Sequence, residues 1–272
     1  MSVPPRIAFS TLAFPHATLA SAASLGRRWG YTGIELRLID GELIDSSMPA
    51  ARRAQVKRIL AGLPVVAVDS SIRLTGGHPG PELRWFLQLA SDWESPLVRV
   101  FGGALAADEQ ARQAQLGAAA RVLEDALPIA ERLGVAIGVE THDAFSASSV
   151  VAELLALVDI SALDSGLAGA VWDSYHPHRM GETPAEVYAH LGPRILLVQV
   201  KDACLRDGDW QLVPLGEGEV PVRDMLGLLA DGGYRHWISV EWEKRWHPEI
   251  DEPEVALPRH LDLLATWLEE IP

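Results

Sequence analysis

The chain has one cysteine, Cys204, so it has no intrachain disulfide, and neither a CxxC pair nor a Cys/His zinc spacing occurs. Basic residues are scarce: 23 Lys and Arg stand against 37 Asp and Glu, a formal charge of −14. A polyphosphate partner wants a basic face, so this balance argues against nucleic acid. No apolar run approaches the roughly 18 residues of a membrane span, and no membrane partner is expected. The opening MSVPPRIAFSTLAFP lacks a basic segment, an apolar core and a small-residue cleavage site, which points to a cytoplasmic protein. Glycine loops for phosphates are missing too. Where a nucleotide-binding sheet would carry GxGxxG or Walker A after its first strand, this sequence reads STLAFPH.

What is present is a full core: 48% of the 272 residues are hydrophobic and 22% charged. Short β-rich apolar runs recur at 6–11, 33–38, 64–69, 97–101, 135–140, 169–173, 195–200 and 237–242. Between them lie Ala/Leu/Arg-rich segments with helical periodicity at 18–29, 50–61, 82–92, 108–133, 148–158, 184–191, 221–231 and 255–269. Gly30, Gly62, Gly134, Gly192-Pro193 and Gly232-Gly233 stand where a helix ends and the next strand begins. The strands read as continuous apolar runs, as expected for a parallel sheet covered on both faces. Eight units over 272 residues average about 34 residues each, which predicts a single-domain (β/α)8 TIM barrel over 1–272. An open doubly wound sheet is the alternative, and the missing glycine loop disfavours it.

Chemistry in such a barrel sits at the C-terminal strand ends. The first four ends offer Ser10, Glu35 with Arg37, Asp69 with Arg73, and Arg99. The last four each end in an oxygen donor: Glu140, Asp173, Gln199 and Glu241, at intervals of 33, 26 and 42 residues. Three carboxylates and an amide at one mouth repel unless a cation lies between them. An all-oxygen donor set suits magnesium or manganese better than zinc. Glu35 is expected to be a salt-bridge partner of Arg37 or Arg73. His142 stands open between a site role and a surface one. Two further segments are distinctive, 213–221 with Glu217 and 241–253 with Glu243, Trp246 and His247.

The motifs GVETH, WDSYHPHRMGE, VQVKD and SVEWE, with GIELR and VRVFGG earlier, resemble the xylose isomerase-like TIM barrels of sugar isomerases and epimerases. That family shares its fold with endonuclease IV. The resemblance implies one divalent ion, Mn²⁺ or Mg²⁺ with Co²⁺ also accommodated, held by Glu140, Asp173, Gln199 and Glu241. Gln199 stands where ketose epimerases most often carry histidine, and in this it is similar to hydroxypyruvate isomerase-like enzymes. The chemistry implied is isomerisation or epimerisation of a small keto-sugar or hydroxy-keto acid through an enediolate. Glu140 and Glu241 are then the paired acid–base catalysts. His176 resembles the family histidine that touches substrate oxygens, while Lys201 and Arg99 would hold substrate hydroxyls or balance the carboxylates. An inosose dehydratase-like lyase shares these features. An endonuclease IV-like phosphodiesterase is opposed by the acidic charge and the few strand-end histidines, and a noncatalytic carbohydrate-binding subunit by the complete donor set. A homo-oligomer is compatible with all of this.

Overall fold

A computed structural model describes residues 6–271 of the chain. Eight parallel strands close a barrel: β1 (Ile7–Ser10), β2 (Gly33–Leu36), β3 (Val65–Arg73), β4 (Leu97–Phe101), β5 (Ala136–Glu140), β6 (Ala168–Asp173), β7 (Ile195–Val200) and β8 (Trp237–Val240). Each strand pairs with its neighbour in sequence, and β8 closes on β1 with Ile7 opposite Ile238 and Phe9 opposite Val240. The main connecting helices are α1 (Leu19–Trp29), α2 (Ala50–Ile59), α3 (Pro79–Asp92), α4 (Glu109–Leu133), α5 (Ser148–Leu155), α6 (Pro184–Leu191) and α7 (Val222–Asp231), and α8 (Pro253–Glu270) follows the last strand. The predicted barrel is therefore the observed fold.

Local chemistry sets the helix ends. Thr18 and Asp108 accept backbone N–H bonds at the starts of α1 and α4, and Thr183 with Glu186 forms a reciprocal capping box on α6. Helix α3 starts earlier than the 82–92 expected, because Pro79 fits the first turn, where no N–H partner is needed. Strand β3 runs on past the expected 69, with a register irregularity against β4 between Asp69 and Arg73. There Ser70 Oγ donates to Arg99 O at 2.8 Å and accepts from Ile72 N. Two hairpins escaped the periodicity reading, 38–43 and 202–213. Their turns are Asp40-Gly41 and Asp207-Gly208, all four residues at positive φ, the backbone that a two-residue hairpin requires.

The strands also divide their two faces more sharply than a continuous apolar run suggests. Outward positions such as Ile34, Leu36, Val98, Val100, Ile137, Val139, Trp172, Val198 and Val240 join the main core beneath the helices. Alternate positions point inward. A separate small cluster with Ala8, Ala67, Leu97, Val171 and Leu197 fills the lower barrel. Above it the same inward rows carry Glu35, Asp69, Arg99, Glu140, Asp173 and Gln199, all buried.

The 213–221 segment folds back onto the end of β7. The buried Asp202 carboxylate accepts N–H bonds from Ala203, Gly216, Gly218 and Val220 at 2.8, 2.9, 3.0 and 3.1 Å. A Cβ at Gly218 would fall 2.2 Å from Asp202 Oδ1, so this approach admits only glycine. Glu217 turns outward instead, to Arg259 at 2.6 Å.

Close approach within the sheet gives a direct test. A Cβ on Gly169 of β6 would lie 2.3 Å from the Arg194 carbonyl oxygen and 2.8 Å from Leu196 Cγ. The backbone oxygen cannot swing aside, so Gly169→Ala is expected to cost about 3 kcal/mol, the upper end for overpacking, read as a shift of the urea midpoint.

Candidate active site at the barrel mouth

Glu140 ends β5, Asp173 ends β6, Gln199 lies on β7, and Glu241 follows β8. The structure brings all four together, each no more than 3% exposed. One carboxylate oxygen from each of Glu140, Asp173 and Glu241 lies within 4.8 Å of the others. Gln199 Nε2 donates to Glu35 Oε1 at 2.8 Å and to Glu241 Oε1 at 3.3 Å. Those bonds fix the amide, and its buried Oε1 has no hydrogen-bond partner.

Glu35 corrects an expectation. It pairs with neither Arg37 nor Arg73, because its strand parity turns it into the barrel, where Ser239 Oγ donates to Oε2 at 2.5 Å. Burial pushes the Glu35 carboxyl well above the usual range, and neighbouring Asp69 and Glu241 push it further. Burial likewise raises Glu140, opposed by Arg99 and reinforced by Glu241 and Asp173.

Neutralisation of the carboxylates does not fall to a metal ion alone, since cationic side chains enter the cluster. Lys201 Nζ lies 2.9 Å from Asp173 Oδ2 and 2.5 Å from Glu241 Oε2, and it also contacts Glu243. Burial alone would lower the Lys201 pKa, yet Asp173, Glu241 and Glu243 together raise it well above the ordinary value. Arg99 Nε lies 2.8 Å from Glu140 Oε2, its Nη2 3.5 Å from Asp69, and its guanidinium 4.1 Å from the Phe101 ring centroid. Even so, the buried carboxylates Glu35, Asp69, Glu140, Asp173 and Glu241 outnumber the buried cations Arg37, Arg99 and Lys201 that reach into their layer.

His176 is buried, not a surface loop residue, because Asp173 Oδ1 accepts from the N–H groups of Tyr175 and His176 and folds the turn inward. His142 packs beside it, ring centroids 4.4 Å apart at 72°, and also against Phe101. Burial and the nearby Lys201 lower both imidazoles, His142 to about 4. Not every large opening marks this chemistry. A cleft of about 790 Å³ lined by Lys57, Arg58, Trp93 and Glu94 lies at the opposite, N-terminal end of the strands.

The sequence of the family described as xylose isomerase-like TIM barrel matches residues 23–267. The chain belongs to that family. Solved structures agree with this xylose isomerase-like barrel in fold. A xylose isomerase domain protein from Planctomyces limnophilus superposes with a TM-score of 0.75, covering 99% of each chain at 17% identity. An IolI protein with a bound zinc atom gives 0.76, covering 98% of this chain and 99% of that one at 15% identity. A D-tagatose 3-epimerase-like protein gives 0.76, with 98% of each chain covered at 18% identity. No curated protein sequence matches the chain significantly. Among the described residues, no helix of this barrel is long and apolar enough to cross a membrane.

Ser239, Phe101 and the Asp143 beside His142 were not singled out from the sequence. Ser239 had a usable signal, since it stands two residues before Glu241 and strand alternation puts the two on one face. Two outcomes follow from the charges. Lys201→Met strands buried carboxylates, and in chelator-treated protein it is expected to cost about 3–5 kcal/mol of unfolding free energy. The imidazole of His142 should titrate near 4 by NMR. Its contribution to stability is then present above pH 6.5 and lost as pH falls toward 4.

Proposed function

We propose that the barrel is a divalent-metal-dependent isomerase or epimerase of a small keto-sugar or hydroxy-keto acid. The observation that carries this reading is the convergence of Glu140, Asp173 and Glu241 oxygens within 4.8 Å, beside the unpartnered Gln199 Oε1. A buried oxygen with no partner, next to a surplus of carboxylates, fits a hard cation. Glu140, Asp173, Gln199 and Glu241 would hold it, and oxygen donors alone suit Mn²⁺ or Mg²⁺, with Co²⁺ accommodated. When bound, the ion supplies Lewis-acid polarisation of a substrate carbonyl and so acidifies the neighbouring C–H.

The chain's own groups do the rest. Glu140 and Glu241 are the acid–base pair that removes a proton from the carbon beside the carbonyl and returns one to form the product through an enediol. Burial pushes the Glu140 carboxyl well above the ordinary carboxylate range, which raises its basicity toward the substrate proton. Arg99 and Lys201 orient these two carboxylates and donate to substrate oxygens as negative charge grows. Neutral His176 offers one ring nitrogen as a hydrogen-bond partner to a substrate hydroxyl. The tight packing of these groups excludes bulk water and strengthens each interaction.

Manganese-loaded enzyme incubated in D₂O with a panel of ketoses, inososes and hydroxypyruvate is expected to place deuterium on the carbon next to the carbonyl, read by NMR. Product free of deuterium there would remove the proton-transfer step. Loss of a substrate hydroxyl in the same spectra would move the protein to the lyases. Glu140→Gln and Glu241→Gln are each expected to slow turnover on the order of 10³-fold or more. Asp173→Ala is expected to lose the stoichiometric Mn²⁺ seen by elemental analysis, and retention of that metal would sink the assigned shell. Gln199→His should move the metal preference toward Co²⁺ or Zn²⁺.

A further inference from the structure

We propose that Glu140, His142 and His176 form a second cation site, one that takes a nitrogen-preferring divalent ion such as Zn²⁺. One ligand atom from each lies within 4.8 Å of the others. Three ligands bonded to one ion at about 2.1 Å stand roughly 3.4–3.6 Å apart, so the triad closes on an ion by side-chain shifts of up to about 1 Å.

Three features separate this triad from an accidental cluster. His176 is only 6% exposed, yet neither of its ring nitrogens has a hydrogen-bond partner. A buried imidazole left without a partner is costly unless a ligand completes it. His142 is already oriented as a metal-bound histidine is. Its Nδ1 lies 3.0 Å from Asp143 Oδ1, so Nε2 is the nitrogen left for an ion. Asp143 is itself held for this task. It sits at φ +51, in the left-handed region unusual for a residue other than glycine, and Arg73 Nε donates to its Oδ2 at 3.3 Å. The chain Arg73–Asp143–His142 is thus a carboxylate–histidine arrangement of the kind that tunes metal ligands.

The donor set differs in kind from the oxygen shell. Two imidazoles and one carboxylate leave a fourth position open and suit Zn²⁺ or Co²⁺, whereas the oxygen shell suits Mn²⁺ or Mg²⁺. Arg99 Nε lies 2.8 Å from Glu140 Oε2, so with both ions bound the Glu140 carboxylate would be shared between the imidazole site and the oxygen shell. The Lys201 ammonium is engaged by Asp173, Glu241 and Glu243 and is not free to occupy this position. Only in sharing Glu140 and His176 does the site rest on the proposed function: filling it withdraws His176 from substrate.

The test is a zinc titration of the metal-stripped full-length protein against a chromophoric chelator, with melting temperatures recorded for every variant. Wild type is expected to hold two equivalents and His142→Phe one. Asp143→Asn, which tolerates the left-handed backbone, is expected to weaken the second equivalent about 10–100-fold. Cobalt loading should add a visible absorption band that His142→Phe abolishes. If the wild type holds a single ion that Asp173→Ala loses and His142→Phe keeps, the second site is overturned and the oxygen shell stands. An ion that His142→Phe loses and Asp173→Ala keeps supports the imidazole site and overturns the oxygen shell. Two equivalents retained undiminished in both His142→Phe and Asp143→Asn would also overturn the imidazole site.

Discussion

The organisation of this barrel depends on keeping buried carboxylates charged, or protonated, inside a closed ring of strands. A lone buried carboxylate is costly, and several together would open the barrel unless cations or protons met them. Lys201 and Arg99 meet them from opposite sides, one gripping Asp173 and Glu241, the other Asp69 and Glu140. The lower barrel is apolar and filled, so the charged layer cannot relax downward. It is confined to the C-terminal end of the strands. Stability and the proposed chemistry therefore draw on the same few side chains, and a variant that damages one is expected to be felt in the other.

The fold was legible because its signal repeats. Eight apolar runs separated by helical stretches leave few architectures open, and a misplaced boundary such as that of β3 does not change the count. The hairpins were readable in principle, since Asp40-Gly41 and Asp207-Gly208 are turn dipeptides, but helical and strand periodicity says nothing about them. The candidate site was legible where residue type and strand end coincide, as at Glu140 and Asp173. It was not legible where the decisive partner lies far along the chain. Glu35 meets Gln199 across 164 residues of sequence, and only closure of β2 and β7 into one barrel brings them together. For Lys201 the sequence left two readings open, a hold on substrate hydroxyls or a counter-charge to the carboxylates, and the structure puts its ammonium among Asp173, Glu241 and Glu243.

The same limit applied to the histidines. His142 follows a strand-end glutamate by two residues, and extended geometry would carry it away from the mouth. The structure keeps His142 extended, at φ −152 and ψ 168, and its ring still packs against His176, while the positive φ of Asp143 turns the chain only after it. Glu140 consequently faces two kinds of neighbour, oxygen donors on one side and imidazoles on the other.

The four N–H bonds onto Asp202 bear on how fast this site can change its occupant. Three of them, from Gly216, Gly218 and Val220, pin the backbone next to Lys201 to the 213–221 segment, which holds the lysine's main chain in place. Any exchange of partner at the ammonium must then be made by rotation about side-chain torsions alone. Such rotations belong to a faster class of motion than loop or lid opening, even when burial slows them. The Lys201 ammonium is thus placed by a fixed backbone frame, and only its side-chain torsions are left to adjust it.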